Sequence, residues 1–224
     1  MATAYFESDL FRFLQELKRN NRRDWFDKHK PRYETAVKRP LLRFIADFDA
    51  RIRTLSKHFH GDARPSGGSM FRIYRDTRFS SDKSPYKTHA AAHFPHRTAG
   101  KDVHTPGFYL HLEPGNSMGG GGLWQPDAPA LKKVRDRIVQ RPTDWKEVVS
   151  ARLTILGDSL KRPPAGYDAD HPFIADLKRK EFYVMTEFTD RQVCAPDFMD
   201  RYLDACRTAS PLVRFLAQAV GLPW

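Results

Sequence analysis

The stretch Gly107-Phe108-Tyr109-Leu110-His111-Leu112-Glu113 decides how this chain is read. Phe108, Leu110 and Leu112 alternate with Tyr109, His111 and Glu113. A period of two puts the first set on one face of a β-strand and the second set on the other. One face is fit for a core; the other carries groups that bond and titrate.

Working outward, two more segments read as strands. Met70 to Arg75 alternates apolar with polar or amphipathic residues after the turn residues Pro65-Ser66-Gly67-Gly68, and Glu181 to Phe188 reads as a last strand. Thr88 to Phe94 is a weaker candidate. The tetraglycine Gly119–Gly122 reads either as a tight bulge or turn, or as a nest of amides near a ligand. It lacks the Gly-Lys-Ser/Thr of a phosphate loop and the spacing of a dinucleotide fingerprint.

Helices are expected on both sides of these strands. Ser8 or Asp9 is placed to cap a helix with Leu10, Phe13, Leu14 and Leu17 on one side. A second segment carries Trp25, Phe26, Tyr33 and Val37, with Pro31 expected to kink or restart it. A third starts near Pro40 with Leu41, Ile45, Phe48, Ile52 and Leu55 as its stripe. Beyond the strands, Asp127 suits the cap of a helix through Leu131, Val134 and Ile138, and Asp144 with Glu147 resembles a capping box. Asp170 with Pro172 predicts a helix through Ile174 and Leu177. The stretch from Asp197 to Val220 is expected helical, broken or kinked near Pro211 and stopped at Gly221. Strands in the middle with helices at both ends give an α+β class: a central, mainly antiparallel sheet in a single domain over residues 1–224, with its core at about 5–221.

Composition bounds the rest. Of 224 residues, 40% are hydrophobic and 12% aromatic, enough for a packed core. No apolar run is long enough for a membrane helix, and the first residues do not read as a secretory signal, so a cytoplasmic location is expected. Two cysteines, Cys194 and Cys206, match no zinc or redox spacing and read as free thiols. The net charge is +11, and it is uneven: residues 1–112 hold 22 Lys/Arg against 12 Asp/Glu. Such a half attracts phosphates or nucleic acid, or merely keeps the chain soluble.

The densest donors lie between Phe71 and His89. Arg72, Arg75, Arg78, Lys83 and Lys87 face only Asp76 and Asp82, with Tyr86 among the hydroxyls. Guanidinium forks and ammonium groups match phosphate or carboxylate oxygens. A solvated loop with local pairs, such as Asp76 with Arg78, is the alternative. If the Met70–Arg75 and Gly107–Glu113 strands are neighbours, Arg72, Tyr74, Tyr109, His111 and Glu113 share a surface with His89 nearby. The ligand set is then Arg72, Arg75, Arg78, Lys83, Tyr86, Lys87, Tyr109, Gly120 and Gly121, with His89, His111, Glu113 and Tyr86 as proton-transfer candidates. His89 and His93 would share a strand face as two histidines of a partial metal site, but surface histidines fit better, and no metal or cofactor is expected. Trp25 and Phe26 among Arg22, Arg23, Lys28 and Lys30 read as an amphipathic helix rather than a base-stacking platform. The expected partner is a small anionic ligand; a nucleic-acid-binding module and a structural or protein-interaction domain without a pocket are the alternatives.

The run R-I-Y-R-D-T-R-F-S-x-D-K-S-P-Y-K-T at 72–88, then G-F-Y-L-H-L-E-P-G at 107–115 and G-G-G-L-W at 120–124, resembles the bacterial and fungal family known as domain of unknown function 2461. The Asn21 to Tyr33 stretch, with its Trp-Phe pair, is similar to the start of that family. The resemblance implies one domain of that family from about residue 5 onward. It brings no activity, cofactor or catalytic residue with it. His93 and His96 fall outside the shared pattern, and Gly119 extends a three-glycine element.

Overall fold

The computed structural model describes residues 3–99, 104–151 and 153–224. Four strands form one sheet in the order β1-β2-β3-β4, every neighbouring pair antiparallel: β1 Ala90–Pro95, β2 Gly107–Leu112, β3 Ser117–Leu123 and β4 Phe182–Phe188. The helices α1 (Ser8–Arg19), α2 (Arg23–Tyr33) and α3 (Arg39–Ile52) precede the sheet. The helices α4 (Ala128–Gln140), α5 (Pro142–Ser150) and the short α6 (Ile174–Leu177) lie between β3 and β4, and α7 (Asp190–Val193) and α8 (Phe198–Ala219) follow. This is the α+β arrangement that the sequence pattern predicts.

The two faces of the sheet are unlike. Phe108, Leu110 and Leu112 are fully buried on one side, where α8 lies across β3 and β4. Gly119 and Gly121 let that helix sit down. A Cβ on Gly119 would meet the Tyr202 ring at 2.6 Å, and one on Gly121 would meet Val213 at 2.7 Å. The tetraglycine is therefore the interior of a strand, not a turn. Between β2 and β4, its backbone groups are committed to two ladders, which removes the free amides of a nest.

The Met70–Arg75 segment does not form a strand. It makes isolated bridges, Met70 with Ala92 and Tyr74 with Tyr86, and its Phe71 amide bonds the Ala91 carbonyl at 3.0 Å. It fringes β1 while folding back on residues 85–87, through Lys87 N to Ile73 O at 2.8 Å and Arg75 N to Pro85 O at 2.9 Å. So β1, the weaker candidate in the sequence, is the actual neighbour of β2.

Two prolines do less than expected. Helix α8 runs through Pro211, and α2 runs through Pro31 into a π-helical turn, Glu34–Lys38, that leads straight into α3. Both prolines are solvent-exposed, so water can satisfy the carbonyl each one orphans. Gly221 ends the last helix region with φ of 85°. Asp127 caps α4 through Ala130 N at 2.8 Å, as predicted. Glu7, not Ser8 or Asp9, precedes α1; Asp9 instead pairs with Arg32. Asp144 does not cap α5; it bonds Arg141 at 3.1 Å. The helix expected from Asp170 is only the single turn α6. A reciprocal capping box that the sequence reading missed closes α7, between Thr189 and Gln192. Cys194 and Cys206 are free. Among the described residues no helix is long and apolar enough to cross a membrane.

Candidate functional site

The other face of the sheet is open, and it carries polar and titratable side chains. Residues of β2 that point away from the core are Tyr109 and His111, with Glu113 just past the strand end. Antiparallel register sets Ala91 opposite His111, and His93 opposite Tyr109. His89, two residues before Ala91, therefore falls on the same side, and its ring packs against His111 with centroids 4.3 Å apart.

Tyr109, His111 and Glu113 form a chain. Tyr109 Oη and His111 Nδ1 are 3.0 Å apart, and His111 Nε2 and Glu113 Oε2 are 3.3 Å apart. A carboxylate only accepts, so Nε2 carries the proton of neutral His111, Nδ1 accepts, and Tyr109 donates. Asn116 Nδ2 also donates to Glu113, at 3.0 Å. The β2–β3 turn fixes this carboxylate. Pro114 and Gly115 (φ 70°) fill the two central positions, and Asn116 N bonds Glu113 O at 3.0 Å. Ser117 Oγ closes the base by accepting from Glu113 N at 3.2 Å.

The local environment sets the charges. Burial, then the neighbouring His111 and Lys87, hold His89 down at about 4. Burial lowers His111 too, against the pull of Glu113. For Glu113 burial pushes upward, but the bonds from Asn116 and His111 together outweigh it and the carboxyl is lowered. Tyr109 is pushed up to about 12 by burial and by Glu113. At neutral pH the site thus holds two neutral imidazoles, one carboxylate and one intact phenol.

A cavity of about 370 Å³ opens over this face. Lys87, His89, His93 and Tyr109 line one part of it, and Phe71, Met118, Trp124, Tyr183 and Met185 supply apolar walls over Gly121 and Gly122. Lys87 is half-buried, its Nζ 5.2 Å from the centre of the Phe71 ring. Burial lowers its pKa, and Arg72 adds to the effect.

The remaining basic residues sit elsewhere. Arg75 pairs with Asp82, Arg78 pairs with Asp76 at 2.6 Å, and Lys83 donates to Thr77 O at 3.0 Å. The local pairing weighed for this loop is what occurs. Arg72 is exposed and joins no ion pair among the described residues. Arg75, Lys83 and Tyr86 line a separate open concavity of about 510 Å³ with Arg22 and Arg23. Tyr86 itself is buried and stacked on Phe26, with ring centres 4.1 Å apart. The expected ligand set therefore divides: Lys87, Tyr109 and Gly121 line the sheet-face cavity with His89, whereas Arg75, Lys83 and Tyr86 line the other. Gly120, opposite Tyr109 in β3, lines neither. A broader hollow of about 820 Å³ lies between α4, α5 and α8; its Arg137, Arg141 and Arg207 are paired with Asp144 and Asp204, and its Arg214 joins no ion pair among the described residues.

Sequence reasoning missed Phe71, Trp124, Tyr183 and Met185 as cavity walls. The alternation of Tyr183 and Met185 with Phe182 and Val184 was the available signal for β4. Trp25 and Phe26 pack inward, Phe26 being buried and Trp25 stacked on His29, as an amphipathic helix requires. Among the described residues no group of three or more His, Cys, Asp or Glu is placed to hold a metal ion.

Comparison with known proteins gives one match. No curated protein and no solved structure matches the chain. The family model described as conserved hypothetical protein (DUF2461) matches residues 9–215, which span α1 through most of α8 and include both halves of the sheet-face cavity, and the chain belongs to that family.

Proposed function

We propose that the sheet-face cavity binds a small molecule carrying a phosphate or carboxylate on an apolar or aromatic body. The observation that supports this reading is Lys87, a half-buried ammonium beside His89 in a hollow whose walls are otherwise largely apolar and aromatic. Among the described residues Lys87 has no carboxylate partner; burying such a cation is costly, and a bound anion offsets that cost. Trp124 and Tyr183 offer flat surfaces to the body of the ligand. Phenyl phosphate and benzoate are suitable probes, followed by amide chemical shifts. The expected result is shifts at Lys87, His89 and the Trp124 indole, with affinity weakened about tenfold in Lys87→Ala. Arg78→Glu leaves binding unchanged, because that residue lies outside the cavity. Equal affinity in Lys87→Ala and the unaltered protein rejects the proposal.

A second reading, nucleic-acid binding, draws on Arg22, Arg23, Arg75 and Lys83, which share the other concavity. It requires retention on heparin that falls steeply with salt. No retention at low salt removes it. A domain without a ligand remains the outcome if both tests fail.

A further inference from the structure

The hydrogen-bonded row on the open sheet face has the order of parts of an activated nucleophile: an acceptor carboxylate, an imidazole oriented by it, and a hydroxyl bonded to the other ring nitrogen. Here the hydroxyl is a phenol. We infer that Tyr109 Oη is a nucleophile activated by His111 and Glu113, acting on an ester-type centre of a molecule held in the cavity. The inference rests on the binding reading for the placement of the substrate, but not for the chemistry of the row.

Four observations carry it. The contacts at 3.0 and 3.3 Å run in one line from Tyr109 through His111 to Glu113. Tyr109 lines the cavity, while Glu113 is held away from it by Asn116 and the turn. The His89 ring packs against His111 at a tilt of 33° and limits its movement. An interior strand supplies the tyrosine and histidine two residues apart, so their geometry is set by the pleat, not by a loop.

In the step proposed, Tyr109 Oη forms a bond to the electrophilic carbon or phosphorus. Its proton passes to His111 Nδ1, and the bond to the leaving oxygen breaks. The imidazolium is stabilised by Glu113 and returns the proton to the leaving group as an alcohol. Water then cleaves the tyrosyl adduct, with His111 accepting a proton from the water and giving it back to Tyr109. No oxidant or metal enters the balance. Because Tyr109 is held protonated, with a raised pKa, bond formation and proton transfer must coincide.

Benzenesulfonyl fluoride tests this on the full chain. It is uncharged, its ring fits apolar walls, and attack by a phenol releases fluoride. Peptide mapping by mass spectrometry at pH 7.5 is expected to find Tyr109 labelled ahead of exposed Tyr74, with the rate falling at least about tenfold in His111→Gln. Glu113→Gln, which keeps shape, slows labelling less. Circular dichroism confirms that each variant is folded; if His111→Gln does not fold, Glu113→Gln decides, a measurable slowing supporting the inference and an unchanged rate overturning it. Labelling of Tyr74 or Lys87 in place of Tyr109, or a rate independent of His111 and Glu113, overturns the inference. Lys87→Ala separates the two proposals. Labelling that persists there while phenyl phosphate binding is lost supports both, and phenyl phosphate binding without any Tyr109 labelling overturns the nucleophile alone.

Discussion

The two faces of this sheet are built from the same strands and obey opposite rules. Phe108, Leu110 and Leu112 point into a dry contact with α8 and the aromatic core, where Phe108 meets Phe59 edge-on at 5.2 Å. Tyr109, His111 and Glu113 lie on the other side, where Tyr109 lines a hollow that no helix fills among the described residues. On the closed face every atom is held by packing. On the open face the side chains hold one another by hydrogen bonds, at a cost in burial that depresses two imidazoles. The lesson is that stability and chemistry are separated here by the strand period alone.

Substitutions that treat the faces alike break this comparison. Phe108→Ala should lose about 3–5 kcal/mol, since it opens a cavity among fully buried rings. Met185→Ala on the open face should lose about 1 kcal/mol or less, because Met185 borders an existing hollow. Urea unfolding of both variants makes the measurement, and equal losses would mean that the open face is packed as tightly as the closed one.

Acid sharpens the contrast. His89 has a folded pKa of about 4 against an ordinary 6.5, so the unfolded chain binds the proton first. Stability is full above about pH 6.5 and is lost as pH falls toward 4, by about 2 kcal/mol from this group after allowance for solvent. His111 acts with the same sign, as does His96 at the far end of β1. Urea midpoints at pH 7.5 and pH 5 should therefore differ, and His89→Gln should narrow the gap. A gap that His89→Gln leaves intact would assign the acid sensitivity to His111 and His96 instead.

The smallest effect is expected in the basic loop. Arg78→Ala removes an exposed pair with Asp76 and should leave the unfolding midpoint unchanged. A measurable loss would show that the loop shares in the stability of the sheet.

The sequence made the β2 faces readable because alternation over seven residues leaves little choice of conformation. The hydrogen-bonded row follows from that reading once the strand is known. The partner of β2 was not readable in the same way. Met70–Arg75 alternates well, yet its backbone is divided between β1 and residues 85–87, a tertiary choice that alternation does not encode. The glycines misled for a physical reason: a strand without side chains has no pattern, and only the presence of Tyr202 and Val213 explains it. The basic cluster misled in charge count, because Asp76 and Asp82 each neutralise an arginine nearby. Lys87 stood out from its neighbours only after folding buried it.

That bare strand has a mechanical consequence. Where β3 runs through Gly119 to Gly122, the wall between the α8 core and the cavity is one backbone thick. No side chain lies there to absorb a displacement, so a slide of α8 along its axis presses directly on the cavity floor, and a molecule seated on that floor pushes back on the longest helix of the fold.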